Sequence, residues 1–376
     1  MHEQITLRFF DTELALWTDT PMVATVCASL YGRFVHDGSG PAPATRVSGA
    51  VHAHEGNPWG EPVLVIDGEK QPLPQWPLWE GDACDRAVGA ALSRVRSHWL
   101  VHAAAVACGE RGILLVADAN HGKTTLALEL ARRGLGFLGD DFVALGGADR
   151  RLYAFPKSLR LWPQTLRQFG FDDMAEQAFY WAYKYQIDIE TLYPHPLATP
   201  VPLTDIILLR DPAEAIEGQN DGLDHNLDLL PERYDDDLLD AVRRLDGVRH
   251  ARAICCSERT GIRVRTRDRE RTTAAVQALC QERGMRLLGF AERFEIMPDF
   301  SGPASLSSLS GRAAVFAIWQ RLRGGVGLAP GGIEEPGQAA RLFLELASTI
   351  SSARCHELRL GPLADMADLV CSLASE

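Results

Sequence analysis

The stretch "ILLVADANHGKTTLALELARRG", residues 113–134, constrains this chain more than any other. Residues 112–116 form an apolar run that predicts a buried strand, 117–122 a loop, and 123–133 a helix stopped by Gly134, the residue type that most often ends helices. The phosphate-binding signature is G-x-x-x-x-G-K-[ST]. Gly122, Lys123 and Thr124 are in place, while Ala117 stands where the first glycine belongs. Such a loop turns successive backbone N–H groups toward an anion at a helix N-terminus, where the helix dipole favours negative charge. The candidate cradle is therefore Ala119, Asn120, His121, Gly122, Lys123, Thr124 and Thr125, with the amides of 119–124 around the phosphates. Asn120, at the crest, is the non-glycine type that enters left-handed backbone most readily. The methyl of Ala117 costs little if φ is negative there and about 1–2 kcal/mol if φ is positive.

The flanks extend the pattern. Upstream, "WLVHAAAVA" and "ILLVA" read as a hairpin across "CGERG", with His102 in the first strand. Downstream, "GFLGDDFVALGG" gives two short extended pieces around Asp140 and Asp141. Consecutive residues on an extended segment point to opposite faces, so one acid can take a proton while the other orients a metal. "RLYAFPKSLRL" and "TDIILLR" read as further strands, and 164–193 between them as aromatic-rich helices. Four segments follow: a small, mainly β module over 1–85, a core over 86–245, an α+β insert over 246–297, and a helical C-terminal part over 298–376.

Charge and cysteine usage narrow the function class. The formal net charge is −12, which disfavours a nucleic-acid partner. No stretch approaches the roughly 20 apolar residues of a membrane span, and the start lacks a basic segment followed by an apolar run. The eight cysteines show no CxxC pair and no zinc spacing, so a reducing, cytoplasmic setting is expected. Against this acidic background, residues 249–271 hold eight arginines and three acids. "GIRVRTR" alternates Arg263, Arg265 and Arg267 on one strand face, either a solvated surface or a docking surface for an acidic peptide. The acidic run 217–240 reads as a solvated loop and helix start.

"HAAAVACGERGILLVADANHGKTTLALELARRGLGFLGDDFVAL", residues 102–145, resembles the nucleotide-binding segment of HPr kinase/phosphorylase and its HPr kinase-like relatives. The matching elements are a histidine before the loop strand (His102), the helix "TLALELARRG" after the lysine, and the adjacent pair Asp140-Asp141. The resemblance implies an α/β architecture, the PEP-carboxykinase-like P-loop fold, with a mixed sheet packed by helices. It also implies ATP and Mg²⁺ as cofactors and transfer of the γ-phosphate to a serine or similar hydroxyl, on a ribosomal peptide, a small protein or a metabolite. Under it, Lys123 clamps the β and γ phosphates, Thr124 and Asp141 serve Mg²⁺, Asp140 is the base, and His102 contacts the γ-phosphate or holds the base. Departures are Ala117, Thr125 where relatives carry a carboxylate, and the lack of an "ELRGLG"-like stretch. Lys157, Arg160 and Arg210 are additional cations that could reach phosphate or substrate. Two rival readings stand beside the kinase: a non-catalytic nucleotide-binding module that binds a peptide or protein partner, and a PEP-carboxykinase-type enzyme. Membrane and nucleic-acid partners are not expected, and oligomeric state, a homo-oligomer included, is left open.

Overall fold

The computed structural model describes residues 3–53, 62–73, 79–117, 121–176, 178–181, 184–194, 197–210, 225–256, 259–293, 300–323, 329 and 336–375. They form two compact units. The first begins with β1 (Glu3–Phe9), β2 (Thr12–Thr18), α1 (Pro21–Tyr31), β3 (Thr45–His52), β4 (Val63–Ile66) and β5 (Glu69–Pro72). The strands lie side by side in chain order. Strict alternation in β1 buries Ile5, Leu7 and Phe9. The β4–β5 turn falls on Asp67 and Gly68, both at positive φ, as the Asp-Gly pair predicts. Proline at the first position opens α1, whose Val23, Val26, Cys27, Leu30 and Tyr31 are buried.

After α2 (Trp79–Leu92) the chain builds the main sheet with β6 (His98–Val101), β7 (Ala104–Cys108), β8 (Arg111–Val116), α3 (Lys123–Arg132), β9 (Gly136–Gly139), β10 (Val143–Gly146) and β11 (Arg151–Tyr153). A smaller layer follows: β12 (Leu159–Leu161), α4 (Pro163–Phe169), β13 (Phe179–Trp181), β14 (Lys184–Ile187) and α5 (Ile189–Leu192); then β15 (Val201–Arg210) returns to the main sheet. The second unit contains β16 (His225–Pro231), α6 (Asp236–Arg243), β17 (Val248–Cys256), β18 (Arg259–Thr266), α7 (Arg269–Glu282) and β19 (Leu287–Arg293). The first unit is completed by β20 (Ser305–Ser308), α8 (Gly311–Arg323), α9 (Pro336–Ile350), β21 (Arg354–Arg359) and α10 (Leu363–Ser375).

The main sheet runs β6-β10-β11-β15-β8-β7-β9, with β21 on β15 and β20 on β21. It is mixed, because β15 is parallel to both β8 and β21 while the other pairs are antiparallel. β8 is buried on both faces and so reads as a continuous apolar run. Leu114 and Val116 pack with Ala314, Ile318 and Leu346 of α8 and α9. Ile113 and Leu115 pack with Leu126 and Leu130 of α3 and with Met366 and Val370 of α10. The architecture is thus α/β, with helices covering both faces of a mixed sheet. Among the described residues no helix is long and apolar enough to cross a membrane.

Several sequence expectations change. "WLVHAAAVA" is two strands, not one: the chain bends at His102-Ala103, so β6 joins the far edge while β7 joins β8. In the aromatic stretch, 179–181 and 184–187 are not helical but are β13 and β14 of a three-stranded sheet with β12. The Phe, Tyr and Trp residues of the stretch are of the types enriched in strands. Within the acidic run, 225–231 is strand β16, buried at Leu227 and Leu229. The second unit accordingly takes in β16 and α6, upstream of residue 246. Arg267 lies beyond the end of β18.

Candidate phosphoryl-transfer site

The helix α3 opens as the sequence pattern requires. Gly122 is its N-cap at φ +77, the left-handed region. The positive φ favours glycine, and a Cβ on Gly122 would also press on the Phe300 ring at 3.3 Å. No side chain caps the helix and its first turn carries no acid, leaving the leading N–H groups to an anion. Ala117 is 1% exposed at the end of β8, packed into the α3 side of the core, and its φ is not positive. The missing first glycine therefore imposes no strain. Ala119 and Asn120 lie outside the described residues. His121 is buried beside Gly122, and Thr125 is half-buried in the first turn.

Lys123 is 7% exposed, and its Nζ donates to the Ala117 carbonyl at 2.8 Å, tying the start of α3 to the end of β8. Thr124 Oγ1 donates to Asp140 Oδ2 at 2.7 Å. The acid doublet thus comes to the loop through a tight turn after β9. Gly139 permits that turn, since a Cβ there would sit 2.6 Å from the Phe142 carbonyl oxygen. Asp141 takes φ +64, so the pair is not the extended dipeptide its sequence suggested. The positive φ throws the two carboxylates into different surroundings.

Asp140 is 7% exposed, and its Oδ1 is buried without a hydrogen-bond partner. Burial, and then the neighbouring charge of Asp141, push its carboxyl up to about 6 against the pull of Thr124 and Lys123. Asp141 receives a hydrogen bond from Lys157 Nζ at 3.1 Å. Burial raises the Asp141 carboxyl, but the Lys157 charge, then His102 and Lys184, hold it well below the usual carboxylate range. Adjacent carboxylates pushed apart in this way can take different roles.

Thr124 thus bonds Asp140, the expected base, while Asp141, expected to serve Mg²⁺ together with Thr124, is bonded by Lys157. His102 sits at the β6–β7 bend, edge-on to Phe142 at 6.2 Å, and acts on the Asp141 side of the site. Lys157, one of the cations the sequence offered for phosphate or substrate, is buried in it. Arg160 lies 3.8 Å from Asp85 of α2, and Arg210 is exposed at the end of β15. Two residues escaped the sequence reading. Lys184 Nζ lies over the Trp162 ring at 4.8 Å, and Tyr31, from the N-terminal module, places its ring 5.9 Å from Lys157 Nζ. Neither has a local signal, because both come from elements remote in sequence.

The Thr124 hydroxyl and the Asp140 Oδ2 beside it are oxygen donors of the kind that suits a hard divalent cation such as Mg²⁺. No group of three or more metal-ligating side chains occurs among the described residues, so such an ion would complete its shell with phosphate oxygens and water.

No family model and no curated protein matches this chain. Among solved structures it is similar to that of the Hpr(Ser) kinase/phosphatase from Coxiella burnetii, at 15% sequence identity, 49% coverage of this chain, 95% of that chain and a TM-score of 0.21.

Proposed function

We propose that the first unit is an ATP-dependent phosphotransferase of the HPr kinase-like kind that moves the γ-phosphate to a hydroxyl. The observation that carries this reading is Asp140: a buried carboxylate at the head of an uncapped helix, one oxygen on Thr124 and the other unsatisfied. A carboxylate left unsatisfied in a core costs about 1–3 kcal/mol or more. Function is the usual reason such a cost persists.

In this reading Lys123 leaves the Ala117 carbonyl for the β and γ phosphates, and the α3 N–H groups hold the remaining oxygens. Thr124 and the Asp140 oxygen beside it would hold Mg²⁺, which when bound offsets the phosphate charge. Asp140 Oδ1 accepts the proton of the acceptor hydroxyl. Phosphoryl transfer passes through a loose transition state and asks little basicity of that group. Asp141, Lys157 and His102 form the wall that fixes the doublet's geometry. The acceptor is a hydroxyl on a peptide, a small protein or a metabolite.

Hydrolysis of γ-labelled ATP, with water as acceptor, tests this without knowledge of the substrate. Lys123→Ala is expected to lose ATP binding by calorimetry, and Asp140→Asn to keep binding and lose turnover. ATP binding with no turnover by the unaltered protein against water or any serine peptide would favour the non-catalytic module instead.

A further inference from the structure

Helices α8 and α9 cover one face of the main sheet and leave apolar surface of their own uncovered. Ala314, Ile318 and Leu322 of α8 and Leu342, Leu346 and Ile350 of α9 are buried in the core beneath them. A second apolar set, which the sheet does not use, looks outward: Phe316 is 44% exposed and Leu344 67%. Between them lies a groove of about 840 Å³. Phe316 and Trp319 line it from α8, and Ala339, Ala340, Phe343 and Leu344 from α9, with one polar residue, Gln320. The Phe343 ring centroid is 5.4 Å from those of both Phe316 and Trp319, so the groove has a packed aromatic floor. Contiguous exposed apolar surface of this kind marks association in soluble proteins.

The charges on α9 favour a second copy of this chain as the occupant. Arg341 and Glu345 are the charged residues between Pro336 and Ile350, and they stand two positions either side of Phe343. Both are exposed, on the same side of the helix as Leu344. A two-fold axis at Phe343, with the two α9 helices antiparallel, sets Arg341 level with Glu345 of the second copy, and the reverse. A parallel pairing would instead bring like charges together. The same axis sets Leu344 level with Leu342 of the second copy, beside the Ala339, Ala340 and Phe343 that line the groove there. The two alanines leave room, so each Leu344 enters the other copy's groove as a knob enters a hole. A two-fold interface uses one patch twice and therefore needs a patch complementary to itself. Within one chain, Arg341 Nε donates to Glu345 Oε1 at 2.8 Å. An exposed pair of this kind is weak, so its partners exchange readily across the axis.

We propose that α8 and α9 form the interface of a two-fold dimer of this chain, in which Leu344 of each copy fills the groove of the other and Arg341 pairs with Glu345 across the axis. The proposal does not rest on the phosphotransferase reading, because association is measured without nucleotide.

Sedimentation equilibrium of the full chain over a range of concentrations reads the association directly. The unaltered protein is expected to reach twice the chain mass. Leu344→Asp, at an exposed position where the fold tolerates charge, is expected to weaken association at least tenfold, with circular dichroism and unfolding midpoint unchanged. Arg341→Glu alone and Glu345→Arg alone each set like charges across the axis and should weaken it at least threefold. The exchange Arg341→Glu/Glu345→Arg restores opposite signs and should return the constant to within threefold of the unaltered value. A protein that stays monomeric at every concentration, a Leu344→Asp variant that associates as before, or a double variant no tighter than the singles would overturn the proposal.

Discussion

Asp205 and Asp140 are both buried carboxylates of the first unit, and the chain treats them in opposite ways. Asp205, on central strand β15, has no exposed surface. Arg354 Nε donates to its Oδ1 at 2.8 Å, while Arg111 Nη2 and the Thr204 hydroxyl donate to its Oδ2 at 3.1 and 2.8 Å. His356 Nε2 lies 3.3 Å from Oδ1. The two arginines also reach the Ala374 and Leu373 carbonyls at the end of α10, so this acid ties the C-terminal helix to the sheet. Asp140 has one hydroxyl partner and one empty oxygen, and its carboxyl is pushed up to about 6. Breaking a satisfied buried charge pair is costly, whereas a buried carboxylate with a shifted pKa and an unsatisfied oxygen is a functional-site candidate.

Asp140→Asn would break the contrast most sharply. Loss of a general base is expected to lower turnover by about 10²–10⁴-fold, with ATP affinity nearly unchanged in calorimetry. Full turnover would remove Asp140 from the chemistry. Asp205→Ala should instead leave Arg111 and Arg354 facing an empty core position. A loss of about 3–5 kcal/mol is expected in urea unfolding, with ATP binding intact wherever the protein remains folded.

The pH dependence separates the two acids of the doublet. Asp140's folded value of about 6 exceeds its reference of 3.8, so the folded state holds the proton more tightly and loses stability as pH rises between them. At pH 8 the penalty is about 3 kcal/mol, which Asp140→Asn would recover as a higher unfolding midpoint, the difference vanishing below about pH 4. Asp141 has the opposite sign: its lowered value contributes stability above the unfolded range, lost only as pH falls into strong acid. A variant at Asp141 that gained stability at pH 8 would contradict the Lys157 pairing. Gly122→Ala should have the smallest effect, about 1–2 kcal/mol from its positive φ, together with weaker ATP binding.

Much of the site was legible locally. The run from Ile113 to Gly134 specifies strand and helix through its own period and glycines, and the described residues on either side of 118–120 follow it to within a residue or two. The hairpin at "CGERG" and the strands around Asp140 were legible for the same reason. The partners of the doublet were not. Period-2 reasoning on Asp140-Asp141 fails because Asp141 adopts a left-handed backbone, which aspartate tolerates without announcing it. His102 read as mid-strand because the chain's bend there is imposed by two sheet neighbours, β10 and β8, which compete for the two halves of one apolar run.

The sequence alone determined that residues 113–134 would carry a strand and then a helix opened by Gly122 and Lys123, since each requirement is met within a few residues of chain. Only the tertiary structure decided which acid faces Thr124, which is held by Lys157, and that Asp205 would be neutralised from β8 and β21. The physical reason is that a carboxylate's role is set by burial and by charges brought from distant strands, and local spacing carries neither.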